Sequence, residues 1–302
     1  NILKKSNVSM IIPTFGGSDS LKRAIDSVIY QDYTNYNIIV VDDNDPNSIG
    51  RAKTESIMRE YLENEKIIYI QHEKNKNGSA ARNTGARATE AEYLCFIDDD
   101  DISFPRRISE QVVFLDSHSE FDACYCWAIR LGKKVTNSVT GDLSKYLLDL
   151  SFSPQTSTIM IRKSAFDFIG GFDESYKRHQ DYEFLLRFYK YFKIGVVETV
   201  LVERLTNEIN NQLSGKKLYN LKKFFFEHFS DEIESINVNN PGFKKEVYAA
   251  HFSETCKELL RRGHVVLAIK TYINYGYIGG DEFWKRLLSL LFNGVKRKLT
   301  KV

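Results

Sequence analysis

The chain has no run of 18 or more apolar residues, so no segment reads as a membrane-spanning helix. It has no excess of charge either. Its 42 Lys and Arg stand against 40 Asp and Glu, and a net charge of +2 gives no support for nucleic-acid binding. Cysteine is scarce: of four residues, Cys124 and Cys126 lie two apart in an apolar run, ACYCWAI, that reads as a strand. They lack the second ligand pair of a structural zinc site, so buried thiols in a reducing compartment are expected. No signal-peptide pattern precedes the first apolar run, and a cytoplasmic location is the expectation. Two nucleotide-binding signatures are missing. TFGGSDS after the first strand lacks the GxGxxG spacing, which argues against a dinucleotide dehydrogenase, and there is no GxxxxGK followed by Ser or Thr. No internal repeat or low-complexity tract is visible.

What is present is globular: 302 residues, 42% hydrophobic, enough for one large α/β domain with an appendage or for two domains. Apolar runs at Val8–Phe15, YNIIVVDD, Lys66–His72 and Tyr93–Ile97 read as buried strands. Between them, SDSLKRAIDSVIYQ, a stretch reaching about Glu63 and GSAARNTGARATEAE read as helices. Strands that alternate with helices imply parallel pairing with right-handed crossovers, hence a doubly wound α/β sheet. Further on, a helix from Pro105 to about Ser117, strands in DACYCWAIRL and TSTIMIR, and helices in SAFDFIGGF and DYEFLLRFYKYF are expected. Beyond about Leu213 only helical patterns appear, which places a boundary near Gly215: a first domain over 1–214 and a helical region over 215–302.

One stretch is chemically expensive. YLCFIDDDD, Tyr93 to Asp101, runs from a buried strand into four consecutive carboxylates. Two like charges ~4 Å apart repel by about 4 kcal/mol at an effective dielectric near 20. In an open parallel sheet, ligands bind at the carboxyl ends of the strands. Strand one ends there in Pro13, Thr14 and Phe15, strand two in Asp42 and Asp43, and strand four in Asp98 to Asp101. Magnesium or manganese would offset part of the repulsion and bridge carboxylates to substrate phosphates. The remaining acids could accept hydrogen bonds from a nucleoside.

Five segments, VSMIIPTFGGSDSLKRAIDSVIYQDY, IIVVDDND, NKNGSAARNTGARATEAEYLCFIDDDD, GGFDE and RHQDYEFLLR, occur in the order and spacing of family-2 glycosyltransferases of the GT-A fold. The resemblance covers about residues 8 to 213. It implies an inverting enzyme that moves a sugar from a nucleotide diphosphate, usually UDP-linked, with Mn2+ or Mg2+. In the family's aspartate-x-aspartate motif the first acid meets the ribose and the last binds the metal, which implies Asp98 and Asp100 here, with Asp99 at the variable place. Asp43 is similar to the acid that accepts the uracil N–H, Pro13, Thr14 and Phe15 to the residues flanking the base, and Arg82 to an arginine near the nucleotide. A salt bridge from Arg82 to the Asp98 loop is the plainer alternative. The family's base is the second acid of a Glu-Asp pair; this chain has Gln180-Asp181, which leaves Asp181 as the implied base. VERLTNEINNQLS is similar to the segment that closes over the diphosphate in relatives, but it holds no His, and no third metal ligand is assigned. Relatives build surface glycans, which implies a glycan, lipid-linked glycan or glycoprotein acceptor.

Two other classes remain open from the residues alone. A sugar nucleotidyltransferase would use the same sheet and metal, but TFGGSDS lacks the Arg of its Gly-rich loop. A non-catalytic sugar-nucleotide-binding module would be favoured by a missing base, whereas Asp181 is present. The C-terminal stretch from Phe283 carries Lys285, Arg286, Lys296, Arg297, Lys298 and Lys301 and no acid, with Phe283, Leu287, Leu291, Val295 and Leu299 at every fourth position. Such a helix packs on its own domain or a second copy in a homo-oligomer, or rests on anionic lipid at the inner face of the plasma membrane.

Overall fold

Short apolar strands alternating with amphipathic helices bury both faces of one sheet, and the computed structural model shows how. It describes residues 7–205 and 215–299, the last eight as backbone only. In chain order, β1 (Val8–Thr14), α1 (Leu21–Ile29), β2 (Tyr36–Asp42), α2 (Ile49–Met58), β3 (Ile67–Gln71), α3 (Gly78–Arg87) and β4 (Tyr93–Phe96) form the doubly wound half. There follow β5 (Asp101–Ser103), α4 (Arg107–Ser117), the hairpin β6 (Ala123–Arg130) and β7 (Lys133–Val135), and α5 (Ser144–Leu148). Then come β8 (Ile159–Arg162), α6 (Lys163–Phe168), α7 (Gln180–Tyr189) and β9 (Ile194–Arg204). The C-terminal helices are α8 (Lys216–Asn239), α9 (Phe243–Arg261), α10 (Val265–Asn274) and α11 (Gly280–Leu299).

The described strands make one sheet in the order β3-β2-β1-β4-β8-β6-β9-β5, with β7 paired to β6. β1, β2, β3 and β4 are parallel, as are β6 and β9; β8 runs antiparallel to both β4 and β6. The sheet is thus mixed and mostly parallel. β9 and β5 are absent from the sequence reading. Ile, Val and Thr at six of the eleven β9 positions are the signal that could have found it.

Successive residues of β1 are buried on opposite faces. Met10 and Ile12 pack with Leu21, Ile25 and Val28 of α1, and with Ile108, Val112 and Leu115 of α4. The other face lies close under α3, because Gly85 has no side chain: a Cβ there would stand 2.5 Å from Cγ2 of Ile11. The four cysteines are buried free thiols. Cys95, Cys124 and Cys126 surround the fully buried Arg107, whose Nη2 donates to Phe96 O at 2.9 Å and Nε to Gln111 Oε1 at 3.1 Å. Burial raises Cys95 to about 11 and Cys126 to about 12, which keeps them protonated.

The chain divides into two compact units, one from Asn1–Ser144 with Pro154–Asn207, the other from Lys145–Ser153 with Glu208–Val302. The second takes in a short segment that a single cut near Gly215 would leave in the first. His251 of α9 explains its attachment, since its Nε2 donates to Leu148 O at 2.8 Å. His251 Nδ1 accepts from Lys222 Nζ at 3.0 Å, and burial lowers Lys222 to about 8. No helix among the described residues is long and apolar enough to cross a membrane. Most of VERLTNEINNQLS (206–214) and the side chains of Lys296, Arg297, Lys298 and Lys301 lie outside the described residues.

Two predictions follow from this packing. Gly85→Ala gains up to ~1 kcal/mol of helix propensity but overpacks a core contact at a cost of ~1–3 kcal/mol. The expected net is a lower urea midpoint, with part of the loss recovered when Ile11→Ala is added; strictly additive losses would contradict the contact. For Lys222, the folded state holds fewer protons than the unfolded state between about pH 8 and 10.5, so stability should rise with pH across that window. Lys222→Met should flatten this rise, worth at most ~3 kcal/mol, in denaturant titrations of the full chain.

Candidate active site

The carboxyl ends of β1, β2 and β4 lie on one edge of the sheet, where Thr14 pairs in register with Asp42 and Ile11 with Phe96. The four acids that follow β4 close a tight turn, in which the Asp101 N–H donates to Asp98 O at 3.1 Å. A turn splays its side chains, and three of them meet different partners. Asp98 Oδ1 accepts from Arg82 Nη2 at 2.6 Å, and its N–H donates to Ser157 Oγ at 3.0 Å. Asp99 Oδ2 accepts from Thr14 Oγ1 at 2.6 Å, and its carbonyl from Ser20 Oγ at 2.9 Å. Asp101 is buried, with Arg204 Nε 3.7 Å from its Oδ2. Asp100, in the same turn, is half-buried.

The electrostatics record the crowding. Burial raises Asp99 to about 7, against the pull of the Thr14 hydrogen bond and with a further push from Asp100 and Asp98. Burial and the Asp98 charge likewise raise Asp101 to about 7, opposed by Arg204.

Arg82 sits on α3, whose first turn is capped by Asn77 accepting from Ala80 N at 3.2 Å. Besides Asp98, its guanidinium donates through Nη1 to Gln180 Oε1 at 3.3 Å and lies 5.6 Å from the centre of the Phe172 ring. The salt bridge to the Asp98 loop is therefore present, and the same side chain reaches the first residue of α7. Asp181 follows at the second position of that helix, half-buried. Burial raises its pKa; the Tyr182 N–H and the Arg82 charge pull the other way. His179, just before α7, has φ of 57°, a left-handed conformation that costs a non-glycine residue strain.

GGFDE, one of the five family-like segments, is held on α3 by Asn83. Its Nδ2 donates to Phe172 O at 2.8 Å and to Glu174 Oε1 at 3.0 Å, and its Oδ1 accepts from Phe172 N at 2.9 Å. A Cβ on Gly171 would stand 2.6 Å from that Oδ1, so only glycine fits there.

The acids after β2 have another arrangement. Asp42, read as one of the acids converging on the cleft, is instead fully buried and ion-paired to Arg51 Nε at 2.9 Å, and it accepts from Tyr69 Oη at 2.6 Å. Its charge is neutralised inside the fold, which corrects that expectation. Asp43 is also buried and accepts from His72 Nδ1 at 2.7 Å, Asn75 Nδ2 at 3.0 Å, and the Lys76 and Asn77 N–H groups at 2.8 Å each. Those four bonds fill its capacity, so a uracil N–H would have to displace one of them. Pro13 and the buried Thr14 end β1, and Phe15 beyond them is 61% exposed, a ring face open to stacking. Sequence reading missed Arg204, Ser157 and Ser20; each lies far from the acid turn in sequence, and no local motif marks them.

Carboxylates suit a hard cation such as Mn2+ or Mg2+, and the mutual repulsion at Asp98 to Asp100 is what such an ion relieves. Among the described residues no group of three or more His, Cys, Asp or Glu side chains could hold a metal by itself. An ion here would need oxygens from a substrate to complete its shell.

The sequence model described as Glycosyl transferase family 2 matches residues 9–194. An uncharacterized glycosyltransferase of Rickettsia prowazekii is 32% identical over 223 residues, 68% of each chain. The amylovoran biosynthesis glycosyltransferase AmsB of Erwinia amylovora is 28% identical over 220 residues, 68% of this chain and 70% of that one. Among solved structures, S. aureus TarS (its 1–349 segment, in complex with UDP-GlcNAc) superposes with a TM-score of 0.63 at 18% identity, covering 95% of this chain and 92% of that one. The matched region holds the acid turn, Arg82 and Asp181 together, and the chain belongs to glycosyltransferase family 2, with a GT-A-like fold.

Proposed function

We propose that this glycosyltransferase moves a sugar from a UDP-sugar to an acceptor hydroxyl with inversion, in the synthesis of a surface polysaccharide. The observation that carries the reading is the bridge Asp98–Arg82–Gln180, which sets the acid turn beside the first turn of α7, where Asp181 sits. A TarS structure holds UDP-GlcNAc and AmsB is named for amylovoran biosynthesis, which supports a nucleotide-sugar donor and a polysaccharide product. The acceptor class is a glycan, lipid-linked glycan or glycoprotein. The proposed location is the cytoplasm, with the helical region holding the enzyme to the inner membrane face or to a second copy.

Pro13, Thr14 and Phe15 flank the base, with Phe15 offering its exposed ring. Asp98 and Asp99 face the nucleoside, and Asp43 holds the loop over 75–77 against it. Asp100 would hold Mn2+ or Mg2+ together with the donor's phosphate oxygens, and the ion supplies charge neutralisation of the leaving diphosphate. Asp181 takes the proton of the acceptor hydroxyl as that oxygen bonds to the anomeric carbon. The bond from that carbon to the diphosphate breaks, and its electron pair leaves with UDP. Burial raises the Asp181 pKa, which makes its carboxylate a stronger base than an exposed aspartate.

Asp181→Asn keeps size and removes basicity. Donor affinity should stay near wild type in UDP titrations while transfer falls by ~10²–10⁴-fold. Because the base must be ionised, wild-type kcat should fall as pH drops through the raised pKa, an acid limb above the ordinary aspartate range near 3.8. Full transfer by the variant, or a pH profile flat down to 4, would contradict the role. For the metal, UDP at 100 times its Kd should add ~2.7 kcal/mol of stability, and the thermal midpoint with UDP should rise further when Mn2+ is present. Asp100→Asn should abolish the Mn2+ increment and spare the effect of UDP alone. An increment that survives there but is lost in Asp98→Asn would reassign the ligand.

A further inference from the structure

Helix α11 is apolar on two adjoining faces, and the fold uses one of them. Phe283 and Leu287 are buried where α11 packs against α9. Trp284, Leu288 and Leu291, spaced by four and three residues, are each 40% to 50% exposed. α10 carries a matching outer stripe. Val265, Ile269 and Ile273, each four apart, are 50% to 60% exposed, while Ala268 and Thr271 are buried. Tyr272, a surface neighbour of Ile269 at i,i+3, joins the two stripes. Its ring centre lies 4.9 Å from that of Trp284, whose Nε1 donates to Tyr272 Oη at 3.2 Å. Monomeric proteins rarely leave a contiguous apolar patch of more than a few hundred Å² open to water, so two joined stripes call for a partner.

Charge decides which partner. From Gly263 to Val302 the sequence has seven Lys and Arg and two acids, Asp281 and Glu282. Both acids are engaged within the chain: Asp281 accepts from Lys245 and Lys285, and Glu282 from Arg286 at 3.2 Å. Lys270, exposed on α10 beside Ile269, has no hydrogen bond or ion pair among the described residues. A second copy meeting this face with its own would bring the same excess of cations, and the only two acids of the region are already paired. An anionic lipid surface supplies the missing charge. It also suits the chemistry of the stripes, since a helix that rests in the headgroup layer carries an apolar face with a Trp and cations beside it. No described helix is long and apolar enough to cross a membrane, so the contact is a helix face laid on the surface.

We infer that the outer face of α10 and α11 lies on an anionic lipid bilayer, which rests on the location proposed above for the helical region and selects the membrane over a second copy. The full chain is mixed with vesicles of phosphatidylcholine alone, or of equal parts phosphatidylcholine and phosphatidylglycerol, and its partition is measured by flotation. It should bind the anionic vesicles about tenfold or more tighter than the neutral ones, and added salt should narrow the difference. In Trp127→Phe, Trp284 is the one remaining tryptophan, and its emission should shift to the blue on binding. Ile273→Gln with Leu288→Gln should lose about tenfold or more of the vesicle affinity. Both side chains are at least half exposed, so the thermal midpoint, UDP affinity and oligomeric state of that variant should match wild type. Absence of partition, equal partition onto both vesicles, unchanged affinity in the double variant or an unmoved Trp284 emission would each overturn the inference. Self-association of the wild type that the double variant loses would overturn it in favour of a second copy and leave the proposed location of the helical region standing. No vesicle binding together with a monomeric wild type would remove that location too, while UDP binding, read separately, bears on the donor alone.

Discussion

The contact on which the site depends is Arg82 with Asp98, 2.6 Å long and mostly sheltered from solvent. Four carboxylates in one turn cannot all be charged without compensation, and the fold distributes the cost: Asp98 to Arg82, Asp99 to the Thr14 hydroxyl, Asp101 to Arg204. Arg82 also reaches across to α7. Its second contact is the neutral Gln180, so Asp98 does not compete with a second carboxylate for its charge. A glutamate at 180 would introduce that competition. The glutamine leaves the positive field on Asp98 and, more weakly, on Asp181, which burial would otherwise push further toward protonation.

Supporting layers hold this bridge in place. Phe172 lies under the guanidinium and is fixed by Asn83, one residue after Arg82 on α3. Asp43 gathers Asn75, Lys76 and Asn77, so the loop that starts α3 is tied to the end of β2. His72 links the same carboxylate to the Thr84 hydroxyl, two residues beyond Arg82. The motifs that look separate in sequence are therefore mechanically one assembly, built around a single helix.

Much of the frame was legible from sequence because its signals are local. The apolar runs of β1 to β4, the small-residue face of α3 that allows Gly85 to meet Ile11, and the acid turn after β4 each announce themselves within about ten residues. The family resemblance supplied the grouping of Arg82 and Asp181 with that turn. What was illegible is non-local. Asp42 reads like its neighbour Asp43, and only the fold shows Arg51 neutralising it. β9 follows an aromatic helix without a strong turn signal, so Arg204 was invisible. The attachment of Lys145–Ser153 to the helical unit depends on His251, about a hundred residues away.

On the proposed function the chemistry is a division of labour: the acid turn, with an ion, would manage the donor's negative charge, while Asp181 would take one proton from the acceptor. A single base permits only a single displacement at the anomeric carbon. Proton NMR of the newly formed linkage tests this most directly, using a UDP-sugar of known configuration and the earliest product. The account predicts an anomeric configuration opposite to that of the donor. A product that keeps the donor's configuration would contradict it, because two displacements would then require a nucleophile that Asp181, as a base, does not provide.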